Sequence, residues 1–218
     1  MKPRVYNQKT AALTLVEVLV VIVVLGVLAV LLLPAFARAK HGGPSLCVEN
    51  LKQIGFANIV WAYDHNGKFP TEVSVANGGT KELTADGKNL WLNFLVLSNE
   101  LSTPKILRCP ADKSRVAAKN FTTNYSAQNV SYFVGLDADT NHPNMFLIGD
   151  DNFAIGGVPV TPGLLGFSTN TPIAWTDERH FSAGNIGFAN GSVAQTSLLG
   201  LQQAAQNTGF ATNRLAIP

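Results

Sequence analysis

Residues 11–34 read AALTLVEVLVVIVVLGVLAVLLLP, and from 18 to 33 every position is apolar or glycine. Residues 13–33 make 21 positions. At about 1.5 Å of rise each, a helix of that length extends about 30 Å, the thickness of a bilayer's hydrocarbon core. One ionisable group interrupts the run, Glu17, close to its N-terminal end. A carboxylate at the centre of a membrane helix costs about 2–3 kcal/mol or more, which makes Glu17 a functional candidate. The plainer reading is an interfacial carboxylate at the mouth of a membrane anchor.

The flanks sharpen the choice. A basic leader carries Lys2, Arg4 and Lys9 with no acid and ends in a small residue, Ala12. Leu13, Thr14, Leu15, Val16 and Glu17 follow, then the apolar run with Gly26 inside it and Pro34 after it. This pattern resembles the N-terminus of type IV prepilins and type II secretion pseudopilins. Ala12 stands where that family usually has Gly, and Leu13 where Phe or Met is commoner. The resemblance implies cleavage between Ala12 and Leu13 by a prepilin peptidase, followed by N-methylation of Leu13. It also implies an assembly role for Glu17. A carboxylate in a dry helix seam needs a cation, and the resemblance supplies the N-terminal amine of a neighbouring subunit's Leu13. Such a polar pair in an apolar seam selects one axial register over others.

A conventional signal peptide is the alternative. The leader is basic, Pro34 ends the apolar run, and Ala35-Phe36-Ala37 has the form of an A-x-A cleavage site. Against it stand Glu17 and a run longer than the usual apolar segment of 7–15 residues. Either processing route exports the remainder. Three positive charges ahead of the run favour a cytoplasmic N-terminus.

The chain has 218 residues, 46% hydrophobic and 14% charged, with a formal net charge of +2. Five of the sixteen basic residues (Lys2, Arg4, Lys9, Arg38, Lys40) flank the apolar run. From position 42 onward eleven basic residues face thirteen acidic ones, a net of about −2. That balance carries no nucleic-acid footprint. The remaining length suffices for one ordinary globular domain.

After the apolar run, Ala35 to His41 continues the helix, and Gly42-Gly43-Pro44 is expected to interrupt it as a hinge. Residues 45–65 resume helical spacing: Leu51, Ile54, Asn58 and Trp61 mark a face that lies on a sheet. The expected organisation is a leader at 1–12, a transmembrane and filament-core helix at 13–41, the hinge at 42–44, an amphipathic helix at 45–65 and a β-rich domain at 66–218. Residues 90–97 read as a buried strand or a short helix, 145–149 and 172–175 as strands. Residues 185–189 and 192–196, joined by Asn190-Gly191, read as a type I′ hairpin.

Three further motifs resemble a narrower group of pilin-like proteins. Cys47-Val48-Glu49-Asn50-Leu51-Lys52-Gln53-Ile54-Gly55, running on to Asn66-Gly67-Lys68-Phe69-Pro70, matches C-x-x-N-L-K-Q-(I/L)-G and its N-G-x-(F/Y)-P turn. Arg108-Cys109-Pro110-Ala111-Asp112 is similar to R-C-P-S-D, and Arg179-His180 followed nine residues later by Asn190-Gly191 is similar to R-H-x9-D-G. Asn190 replaces the group's Asp. It keeps the turn and removes a carboxylate.

Cys47 and Cys109 are the only cysteines. In an exported domain they are candidates for a disulfide that closes about 62 residues and contributes roughly 4 kcal/mol. Two separate buried thiols are the alternative. Asp137, Asp139, Asp150, Asp151, Asp177 and Glu178 form an acid-rich half, and calcium is the ion such oxygens suit, though no EF-hand spacing is present. His180 with Asp177 and Ser182 has the residue types of a hydrolytic group, but adjacency in sequence is not triad geometry. A hydrogen-bonded histidine at a strand edge is the simpler expectation. Neither G-x-S-x-G nor H-E-x-x-H nor a glycine-rich phosphate loop occurs, and no cofactor is implied.

These readings converge on an α+β, pilin-like, non-enzymatic filament subunit: a long N-terminal helix packed on a mainly antiparallel sheet. The resemblance implies a single-pass inner-membrane precursor with a periplasmic domain, then a periplasmic or extracellular homo-oligomeric filament. Its implied partners are the prepilin peptidase, an assembly ATPase with its platform protein, and secretin machinery. The competing class is a membrane-tethered or secreted periplasmic binding protein or enzyme.

Overall fold

A computed structural model describes the backbone of residues 15–39 and 42–218, and side chains of 15–28 and 46–218. Ala12, Leu13 and the leader lie outside the described residues. The chain divides into two units, residues 1–42 and 43–218.

The first unit is helix α1, Leu15–Ala39. Its large apolar side chains from Leu15 to Leu28 are each 45% exposed or more. Among the residues described with side chains, which in α1 end at Leu28, no helix is long and apolar enough to cross a membrane. Pro34 falls within the bounds of α1.

Helix α2, Gly42–Asp64, takes in Gly42, Gly43 and Pro44, where the sequence predicts an interruption with a restart at Ser45. Further along, Cys47, Leu51, Ile54, Ala57, Trp61 and Ala62 recur at helical spacing and are buried. Asn58 lies buried among them and donates Nδ2 to the Ile54 carbonyl at 2.9 Å.

Short helices follow: α3 (Lys81–Thr84), α4 (Trp91–Val96) and α5 (Ser98–Leu101). Of residues 90–97, read as a buried strand or a short helix, 91–96 are helical. The strands come next: β1 (Tyr132–Gly135), β2 (Phe146–Asp150), β3 (Phe153–Ile155), β4 (Val158–Pro159), β5 (Gly163–Ser168), β6 (Ile173–Trp175), β7 (Gly184–Phe188) and β8 (Val193–Thr196). Helix α6 (Leu198–Gln206) and β9 (Thr212–Ile217) complete the chain. Six strands form an antiparallel sheet in the order β5-β9-β1-β2-β7-β8, and β4-β3-β6 form a second sheet.

The larger sheet is covered on both faces, not on one as a two-layer packing would have it. Tyr132, Val134, Leu147 and Ile148 join the α2 side chains and Phe69, Phe94 and Leu107 in one core cluster. Phe133, Phe146 and Ile186 join Phe153, Trp175, Leu201 and Leu215 in another. Alternate residues of a strand point to opposite faces, so β1 is buried at all four positions. This explains why the central strands read as continuous apolar runs without polar alternation.

The β7–β8 hairpin pairs Gly184 with Thr196 and Gly187 with Val193. Its turn differs from the type I′ expectation. Gly191 takes φ 80° and Asn190 does not take positive φ. The Gly191 N–H reaches the Phe188 carbonyl at 2.9 Å, and the Phe188 N–H reaches that of Ser192 at 2.9 Å. This is a type I turn closed by a left-handed glycine, one residue longer than a I′ loop. The carbonyls of Met145 and Pro143 draw in the Ala189 and Asn190 amides at 2.9 and 3.2 Å, which holds the longer loop in place.

Candidate functional site

Two regions carry the candidate residues. In α1, Glu17 interrupts the exposed apolar surface of Leu15–Leu28. Among the described residues, nothing lies within 4 Å of the position a Cβ on Gly26 would take. No packing within those residues demands glycine there. A small residue on an exposed helix surface suits close approach by another helix.

The second region is a buried centre assembled from all three motifs. Cys47 on α2 is disulfide-bonded to Cys109, with Cα atoms 5.3 Å apart. Asn50 of the same motif donates Nδ2 to the Arg108 carbonyl at 3.4 Å. His180 arrives from the loop between β6 and β7, its Nε2 lying 3.2 Å from Cys109 Sγ and 3.4 Å from Asp150 Oδ2. Asp150 closes β2 and is fully buried. Asn185 of β7 donates its backbone N–H and its Nδ2 to Asp150 Oδ2, at 2.8 and 2.7 Å. The other oxygen, Oδ1, is buried with no hydrogen-bond partner, as is His180 Nδ1. Across the ladder from Asp150 stands Tyr132. Burial pushes its phenol above the ordinary value, and the Asp150 charge adds to that.

Beside this centre runs a charged network. Asp112 accepts from Ser114 N–H and Oγ at 2.9 and 2.6 Å, from Ser131 Oγ at 2.7 Å and from Arg115 Nη1 at 3.0 Å. Arg179 pairs with Asp151 and stands 3.4 Å from Asp112, and Arg115 reaches Asp151 at 2.8 Å. Burial alone would raise Asp112. Hydrogen bonds from Ser114 and Ser131, with the Arg179 charge, outweigh it and hold the carboxyl well below the usual range. Burial opposes the Arg179 charge too, but Asp151 and Asp112 outweigh it and keep the guanidinium above its ordinary value.

His180 is thus a buried loop residue with φ 57°, not a strand-edge residue. Ser182 donates to Asp177 at the surface, while His180 turns inward to Cys109 and Asp150. The three do not form a relay. The six acids are likewise dispersed. Asp137 holds Arg214, Asp139 holds His142, Asp151 holds the arginines and Asp150 faces His180. Among the described residues, the group of metal-ligating types that converges is Cys47, Cys109, Asp150 and His180. Asn190 Oδ1 accepts from Ser192 N–H and Oγ at 2.9 and 2.6 Å, a turn-stabilising role that Asp would also fill. Sequence reasoning did not single out Asp150 from the other acids. Its one local signal is an acid ending the apolar run Phe146-Leu147-Ile148-Gly149.

Residues 7–33 match a family model described as the prokaryotic N-terminal methylation motif. No curated protein and no solved structure shows a significant match to the chain. The motif implies membrane anchoring and export, and it spans Ala12, Leu13, Glu17 and Gly26. This chain therefore carries a prokaryotic N-terminal methylation motif, consistent with a type IV prepilin-like or pseudopilin family.

Proposed function

We propose that this protein is a structural subunit that polymerises through its N-terminal helix into a type IV pilus-like or type II secretion pseudopilus filament. The observation that carries the reading is the methylation motif on a helix whose described apolar side chains are all exposed. A contiguous apolar surface of that extent requires lipid or other apolar helices against it. Before assembly the helix sits in the inner membrane with the N-terminus cytoplasmic and the globular domain periplasmic. After assembly, neighbouring helices replace lipid, and Gly26 leaves room for their approach. Prepilin peptidase cuts between Ala12 and Leu13, and the Leu13 amine is methylated. An assembly ATPase, its platform protein and a secretin are the expected machinery. The reading assigns the chain no catalysis.

The test is mass spectrometry of the mature N-terminus from membranes of an expressing host with a prepilin peptidase. N-methylated Leu13 is the expected first residue. Arg38 in first place would replace this reading with conventional export.

A further inference from the structure

We propose that Cys47, Cys109, His180 and Asp150 form a tetrahedral site for one zinc-class divalent ion when the two cysteines are reduced. Disulfide and metal are then alternative closures of the same buried centre.

The donor set is the first ground. Their four ligand atoms lie within 4.8 Å of one another, and all four residues are buried. Two thiolates, an imidazole and a carboxylate suit zinc. The distances are the second. With zinc–sulfur near 2.3 Å and zinc–nitrogen or zinc–oxygen near 2.0–2.2 Å, ligand atoms at tetrahedral positions stand about 3.3–3.8 Å apart. His180 Nε2 is already 3.2 Å from Cys109 Sγ, and 3.4 Å from Asp150 Oδ2, the oxygen of the same carboxylate beside the unpartnered Oδ1. The two sulfurs must separate, which reduction permits, and the remaining ligand pairs start within 4.8 Å of one another.

The third ground points to a ligand directly. Asp150 is fully buried, and its Oδ1 has no hydrogen-bond partner. A buried carboxylate oxygen in that state is costly unless a donor or a cation meets it. Asn185 holds the other oxygen with two N–H groups and so fixes the carboxylate's orientation, as outer-shell donors do around metals.

The chemistry balances. A water-soluble phosphine delivers two electrons to the S–S bond and is oxidised to its phosphine oxide with oxygen from water. The sulfurs take up two protons and become thiols. Zinc binding releases those protons to solvent as the thiolates coordinate.

The experiment uses the full chain in detergent, oxidised or phosphine-reduced, with the phosphine then removed without air. Each form is incubated with zinc chloride, desalted and assayed for metal by mass spectrometry. Cobalt(II) replaces zinc in a parallel sample read by visible absorption. The expected result is one zinc per reduced chain and none per oxidised chain, with cobalt giving the intense bands of a tetrahedral thiolate site. Asp150→Asn, which preserves side-chain size, and His180→Ala are each expected to weaken zinc binding at least a hundredfold. Circular dichroism follows the fold. A reduced wild-type chain that loses structure and regains it with zinc supports the site, and one that zinc does not restore rejects it. Absence of stoichiometric zinc in folded reduced protein rejects it as well. So does equal zinc in the oxidised form, or in both variants, which marks adventitious binding. The filament reading is independent of every one of these outcomes.

Discussion

Gly191, at the tip of the β7–β8 hairpin, rests on Gly55 of α2: a Cβ built on Gly55 would stand 3.8 Å from the Gly191 carbonyl oxygen. That is ordinary van der Waals contact, so the turn and the helix meet closely and the glycine requirement falls on Gly191. Gly191 needs its glycine for φ, and a Cβ there would come within 2.5 Å of Ile59 Cδ1. Gly191→Ala is expected to destabilise the domain by about 1–2 kcal/mol, chiefly from the left-handed backbone, since Ile59 can turn its terminal methyl away. Urea unfolding of the two proteins measures it. An unchanged midpoint would show that the turn relaxes to negative φ without loss.

Glu17→Ala makes α1 more apolar, so membrane insertion is expected to remain intact while filament growth falls sharply. Fractionation reads the first and electron microscopy the second. Filaments of normal number and length from the Ala variant would show that no intersubunit pairing depends on this carboxylate.

The Cys47–Cys109 bond joins α2 to the segment ahead of the sheet across a sequence separation of 62. Non-reducing peptide mapping should recover the linked pair from exported protein. Cys109→Ser is expected to cost about 4 kcal/mol by the loop-entropy relation. Two freely alkylated thiols in the folded, exported protein would contradict the pairing.

Asp112 supplies the pH dependence. Its folded carboxyl is held below the ordinary range, so the native state binds fewer protons than the unfolded state as pH falls. The stabilisation is fully present above the unfolded value, near pH 4, and is lost progressively below it. Asp112→Asn should therefore lower the melting temperature at pH 7 and flatten its decline between about pH 4 and pH 2. A variant that keeps the wild-type slope would place the acid sensitivity elsewhere.

Some features of this protein are decided by neighbours along the chain. The run at 13–33, 21 residues with Glu17 as its one charge, is long enough for a membrane helix whatever follows it. The spacing of Leu51, Ile54 and Trp61 sets the buried face of α2, and Asn190-Gly191 marks a turn. Other features depend on residues far apart in sequence. That β1 and β2 are buried on both faces depends on β3, β6 and α6 packing against Phe133 and Phe146. The exact turn at Asn190 depends on the Pro143 and Met145 carbonyls. Six acids looked equivalent in sequence because charge and residue type do not encode distance. Only the folded sheet sets Asp150 beside His180 and Cys109, while Asp137 and Asp139 are spent on surface partners. Local periodicity reports which face is apolar, but a buried polar centre is built from long-range pairing, and that is a property of the tertiary structure alone.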